Sequence, residues 1–190
     1  MTLTREEKNV VLGARDRAML LIGFSSALRR SDLIRIQIRD IRMVIEGAEI
    51  YIPNSKTDQV GHGHIIRIAR GQVPITCPVQ AMTDWLRLSE INDGYLFRPV
   101  NKSGKVGESQ LSSMAVYRMI QKYTQLLELE HHEKYTPHSL RSGFASTAAQ
   151  NGASIQSIKT QGNWKSDDSL MRYIRNKESW DAAASYKLGL

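Results

Sequence analysis

The chain has 190 residues, 41% of them hydrophobic, with 26 Lys and Arg against 19 Asp and Glu for a net charge of +7. This length suits one domain, and this charge suits a polyanionic partner, nucleic acid foremost, against the plain alternative of a globular protein that is merely basic. One cysteine, Cys77, excludes an internal disulfide and a cysteine-built zinc site and suits a reducing cytoplasm; no apolar run reaches the roughly 18 residues of a membrane span, and the charged residues 1–8 lack a signal-peptide core.

Thr4 followed by Glu7 is a capping-box pattern, predicting a helix that Gly13 interrupts. Apolar residues then crowd most faces of residues 14–28, as in a central buried helix. Ser31 is placed to cap a short helix over 31–36. The period changes next: 41–45, 49–52 and 65–68 are β-rich, Glu46-Gly47 turns between the first two, and a polar loop with Lys56 joins the last two. Pro78, behind Thr76 or Cys77 as cap, opens a helix with a Val79, Met82, Trp85, Leu86 stripe. A short extended piece, Tyr95-Leu96-Phe97, lies between loops; Leu111, Ala115, Met119, Ile120, Tyr123 and Leu127 mark a long helix. Thr136-Pro137 starts another, with Leu140, Phe144 and Ala148 directed to the core. Ser154 caps a helix that stops near Gly162, 168–173 form a short one, and 178–188 a last, with Trp180, Ala184 and Leu188 on one side. The class is α+β, mainly α, with a small three-stranded antiparallel sheet.

The reactive candidates stand out against this frame. His138 and Arg141 are three apart at a helix start, so they are neighbours, off the apolar stripe and facing outward or into a cleft. A helix N-terminus favours anions, and the planar fork of an arginine grips two phosphate oxygens. Such a pair is common on solvated helices and decides nothing alone. Arg29 follows the buried helix, with Asp32 three residues on to hold it; an exposed arginine complementing a helix end fits as well. Trp164 and, nine residues later, Tyr173 lie beside Arg172 and Arg175; for Tyr173 an ordinary half-buried aromatic is the alternative.

Taken together and in this order, Arg29 in Ala-Leu-Arg-Arg-Ser-Asp, Lys56 in a hairpin loop, His138-x-x-Arg141, Trp164 and Tyr173 resemble the tyrosine site-specific recombinase (phage integrase) family over nearly the whole chain. The resemblance implies the DNA breaking-rejoining enzyme fold and a site-specific recombinase that works through a 3′-phosphotyrosine. It implies that Arg29 and Arg141 clamp the scissile phosphate, Lys56 protonates the 5′ leaving oxygen, and His138 serves as general acid/base or phosphate ligand. Trp164 would donate its indole N–H, Tyr173 would attack phosphorus, and Asp32 would support Arg29. A phenol is a poor nucleophile at neutral pH unless cations favour its phenolate, and this residue set supplies them. Exchanging one phosphodiester for another keeps the bond energy, so neither ATP nor another cofactor is expected. Arginines stand in for a metal; no acidic cluster would hold magnesium, and His62, His64, His131 and His132 are read as solvated rather than metal-binding.

The same chemistry serves a type IB topoisomerase-like enzyme, and a DNA-binding protein that has lost catalysis is a further alternative. The expected partner is double-stranded DNA, with a monomer when free, a homo-tetramer on DNA and no membrane. The expected setting is the cytoplasm of a bacterium or the host of a phage or mobile element, at the nucleoid. Residues 1–190 are expected to be the catalytic domain without the family's N-terminal core-binding domain, either a piece or a minimal recombinase. Residues 177–190 are expected to form a helix that docks on a neighbouring protomer, with packing on its own domain as the other arrangement. Arg30 departs from the family's usual apolar residue, and Asn163 from its usual glycine. The short polar helix before Tyr173 is expected to leave the tyrosine mobile and free to lie displaced from the arginines until a partner protomer orders it.

Overall fold

The computed structural model describes residues 1–53 and 63–174. Helix α1 (Thr2–Arg5) leads into α2 (Val10–Ser26), but not through the predicted capping box. Asn9 is the cap of α2, its side-chain oxygen accepting from the Leu12 N–H at 3.1 Å. Thr4 instead donates to the Met1 carbonyl at 2.7 Å, and Glu7 pairs with Lys122, which holds the carboxyl below its ordinary range. Gly13 is no break either. A Cβ there would lie 2.1 Å from the Thr4 carbonyl oxygen, so the glycine lets α1 close onto α2.

As its all-round apolar surface predicts, α2 is the central helix, with Ala18, Met19 and Ile22 wholly buried. Arg15 and Asp16 pair inside the protein, and the Tyr123 hydroxyl donates to Asp16 at 3.1 Å. After α2 the chain turns sharply into α3 (Arg30–Leu33). This helix is shorter than the predicted 31–36, because Ile34 and Ile36 are drawn into the core. Its N-cap position is Arg29 rather than Ser31.

Strands β1 (Ile41–Met43), β2 (Gly47–Ile52) and β3 (His64–Ala69) form the predicted antiparallel sheet in the order β1-β2-β3. Ala48, Ile50, Ile52, Ile66 and Ile68 cover the core face, while Arg42, Glu49 and Arg67 form an ion-paired row across the other. The β2–β3 loop, Lys56 included, lies outside the described residues.

Of the two predicted caps for α4 (Pro78–Ser89), the structure uses Cys77, whose sulfur accepts from Gln80 N–H at 3.3 Å. Trp85 is fully buried and donates to the Leu96 carbonyl at 2.8 Å, which pins the extended piece around Leu96 and Phe97. Next come α5 (Ser113–Leu126), α6 (Pro137–Gln150), α7 (Ile155–Gly162) and α8 (Asp167–Met171), capped by Ser112, Thr136, Ser154 and Ser166. The architecture is α+β and mainly helical, as predicted. Its large core joins α2, the sheet, α4 and α5; a second, small cluster of Ala27, Ala145, Ile158, Trp164 and Leu170 lies under α6, α7 and α8. The predicted helix over 177–190 lies outside the described residues.

Candidate active site

Segments far apart in sequence meet beside α6. The first is the link from α2 to α3. Ala27 ends α2 in the left-handed region, φ 54°, a conformation that costs an alanine roughly 1–2 kcal/mol. Two residues on, Arg29 is exposed and lines a cavity of about 540 Å³ together with Arg30, Ser31, Tyr117, His138 and Arg141. Among the described residues the Arg29 guanidinium makes no ion pair or hydrogen bond.

The second segment is the start of α6. The Thr136 N–H donates to Ser139 Oγ at 3.0 Å in a capping box, and Pro137 occupies the first turn, as the sequence predicts. His138 and Arg141 follow one turn apart. The predicted orientation of this helix needs correction. Arg141, 4% exposed, and Ala145 are its buried residues, while Leu140, Phe144 and Ala148 are only half-buried. Arg141 is tolerated inside because its Nη1 donates to the Ala27 carbonyl and its Cζ lies 3.8 Å over the Trp164 ring. Burial, and then the nearby Arg29, draw the Arg141 guanidinium down to about 10, against the pull of Tyr173 and Asp32. It therefore stays cationic at neutral pH. Burial first, then Arg141 and Arg29, also lower the His138 imidazole below its ordinary value, so it is neutral at pH 7.

The third segment is the turn from α7 through α8. Asn163 adopts the left-handed region, φ 51° and ψ 50°. Asparagine tolerates that region better than most residues, so its departure from glycine leaves the turn intact. A Cβ on Gly162 would fall 1.8 Å from Trp164 Cζ3, so the indole occupies space that only a glycine leaves open. Trp164 is buried, and among the described residues its indole N–H has no protein acceptor. Tyr173 follows α8. Its hydroxyl lies 3.1 Å from His138 Nε2, and its ring centroid is 5.2 Å from that of His138 and 5.8 Å from that of Trp164. Tyr173 is thus not displaced in this structure: fully buried Leu170 anchors α8, and Ser146 Oγ donates to the Tyr173 carbonyl at 2.5 Å.

Thus Arg29, His138, Arg141, Trp164 and Tyr173 come together. Asp32 does not grip Arg29. Its carboxylate accepts from Ser31 Oγ at 3.3 Å and acts electrostatically on Arg141. Lys56 lies outside the described residues, as does Arg175. Sequence reasoning missed Ala27, Gly162 and Ser146. Of these only Ser146 left a trace, as a weak helix former in mid-helix; the Ala27 carbonyl and the space at Gly162 are backbone features that residue type does not announce.

The model described as the phage integrase family matches residues 2–179. The chain is 38% identical over 169 residues to an integrase/recombinase xerD homolog of Selenomonas ruminantium, covering 89% of this chain and 49% of the relative. It is 28% identical over 179 residues to the recombinase cre of Escherichia phage P1, covering 87% and 50% respectively. It thus spans about half the length of these curated relatives. Its backbone resembles the crystal structure of XerA recombinase with a TM-score of 0.72 at 20% identity, over 97% of this chain and 60% of that one. It also resembles a lambda integrase dimer bound to a core site, with a TM-score of 0.62 at 18% identity over 94% and 57%. At those identities the likeness establishes the fold.

Proposed function

The chain belongs to the phage integrase family, and on that premise we propose that it breaks and rejoins DNA strands at a specific site through a covalent link to Tyr173. The observation that carries this reading is the approach of the Tyr173 hydroxyl to His138 beside a buried, cationic Arg141. The scissile phosphate sits in the cavity between Arg29 and Arg141, which neutralise the charge that grows on its oxygens in the transition state. The unpaired indole N–H of Trp164 donates to one of those oxygens. His138, held neutral, accepts the phenol proton at Nε2 when its own proton is on Nδ1. The Tyr173 oxygen bonds to phosphorus, the bond to the 5′ oxygen breaks, and Lys56 protonates that oxygen. The products are a 3′-phosphotyrosine and a free 5′-hydroxyl. Attack by a 5′-hydroxyl reverses the step and reseals a strand, so one ester replaces another and no cofactor enters. Asp32 favours the charged form of Arg141.

The relatives come from a bacterium and a phage, and among the described residues no helix is long and apolar enough to cross a membrane. We place the protein at the nucleoid, as a monomer when free and a homo-tetramer on DNA, with residues 177–190 docking between protomers and residues 1–190 supplying the catalytic half. The test is to incubate the protein with a randomised pool of nicked duplexes and recover protein–DNA adducts after denaturation. Wild type yields adducts and Tyr173→Phe yields none; trapping by Tyr173→Phe would show that the nucleophile lies elsewhere. Arg141→Ala abolishes the adduct with a modest loss of DNA binding, because its contact strengthens in the transition state. Equal loss of both would reduce Arg141 to an affinity residue.

A further inference from the structure

We infer that Ser146 is a positioning residue that holds the nucleophile against its proton acceptor, a role that rests on Tyr173 being the nucleophile. Tyr173 is pinned at both ends to one helix. Its backbone carbonyl accepts from Ser146 Oγ at 2.5 Å, and its phenol oxygen lies 3.1 Å from His138 Nε2. Both partners belong to α6, eight positions apart in the numbering, a rise of about 12 Å along a helix axis. Tyr173 therefore spans α6 from its middle to its first turn, with Arg141 between the two pins and under the Trp164 ring.

The need for such a tie follows from how little else fixes this residue. Tyr173 lies two residues beyond the end of α8, a helix of five residues whose one wholly buried side chain is Leu170. The Tyr173 N–H is already used, donating to the Leu170 carbonyl at 2.8 Å. Tyr173 and Ile174 pack against the small cluster but stay only half-buried, so without a further tie the backbone beyond Leu170 keeps some freedom and the phenol can swing away from His138. The serine removes that freedom by bonding the backbone rather than the ring. The ring stays free to slide towards phosphorus while its root is held. A serine hydroxyl in mid-helix ordinarily bonds the carbonyl one turn back. Ser142 does so, donating to Ser139 at 3.2 Å, whereas Ser146 donates to the carbonyl of Tyr173, in the turn beyond α8.

Ser146→Ala removes the tie without adding bulk, and alanine favours the helix. The adduct with the randomised nicked duplexes should then form roughly three- to tenfold more slowly, the population shift expected from losing one ordinary hydrogen bond. DNA affinity should hold, and Ser146→Thr, which keeps the hydroxyl, should restore the rate. In the free 190-residue chain, 3-fluorotyrosine at position 173 should give a 19F resonance that shifts in Ser146→Ala and returns in Ser146→Thr. An unshifted resonance in Ser146→Ala, or an unchanged adduct rate beside a shifted one, overturns the positioning role. A wild-type protein that forms no adduct at all would instead sink the reading of Tyr173 as nucleophile, and with it the role inferred for Ser146.

Discussion

The two apolar clusters are built on opposite terms. In the large one, Met19, Ile22, Ile50, Met82, Trp85 and Phe97 bury their side chains against one another, and the Trp85 N–H is closed by a backbone carbonyl. In the small one, buried Ala27, Ala145, Ile158 and Leu170 cluster with an indole whose ring also carries a guanidinium over it. Apolar burial contributes about 25 cal/mol per Å², so the first cluster can hold the fold while the second, with far fewer buried side chains, adds less to it. The contrast shows where reactive groups are placed: on a thinly packed flank, braced by hydrogen bonds and one cation–π contact, beside a scaffold that does not depend on them. Local openings concentrate in such flanks.

The sharpest way to break this comparison is to hollow each cluster in turn. Trp85→Ala should cost about 3–5 kcal/mol and lower the midpoint of urea unfolding for the whole molecule. Leu170→Ala should cost about 2–3 kcal/mol at most and be felt locally, with amide exchange quickening over residues 155–174 while α2 and α4 stay protected. Equal loss of protection in both regions would mean that they are one cooperative core.

A smaller change tests the small cluster alone. Gly162→Ala puts a methyl where the indole lies, so overpacking should cost about 1–3 kcal/mol, shift tryptophan emission to the red and stop adduct formation. An unaltered spectrum with full activity would show that the Trp164 site yields easily and that its placement over Arg141 is not required.

The smallest effect concerns pH. Because the His138 imidazole is lowered in the folded protein, folding binds fewer protons there than the unfolded chain does between the folded value and 6.5. Its contribution is thus fully present above 6.5 and is lost as pH falls through the folded value. A proton NMR titration should place the His138 midpoint below 6.5, and Arg29→Ala should raise it by removing one of the cations that lower it. A midpoint at or above 6.5 would sink the neutral, proton-accepting imidazole.

Much of the fold was legible before any coordinates. The sheet follows from its alternation and its Glu46-Gly47 turn, and the capped starts of α6 and α7 follow from Thr136-Pro137 and Ser154. The first turns of the chain were less legible, because Asn9 rather than Thr4 caps α2 and Gly13 serves a close approach between helices. Both depend on how α1 folds back onto α2, which local pattern does not encode.

The residues of the candidate site were named by type and order, through their resemblance to the tyrosine recombinase family. Sequence by itself pointed to those candidates and determined that a helix start presents His138 and Arg141 one turn apart. Tertiary structure alone decided that Arg141 is buried, that Ala27 turns left-handed to meet it, and that Asp32 acts on Arg141 instead of Arg29. It also decided that Ser146 and His138 hold Tyr173 from both ends. The physical reason is that periodicity ranks positions by hydrophobicity. A guanidinium buried between a carbonyl 114 residues away and an aromatic ring breaks that ranking, and its stability comes from partners that only the folded chain brings together.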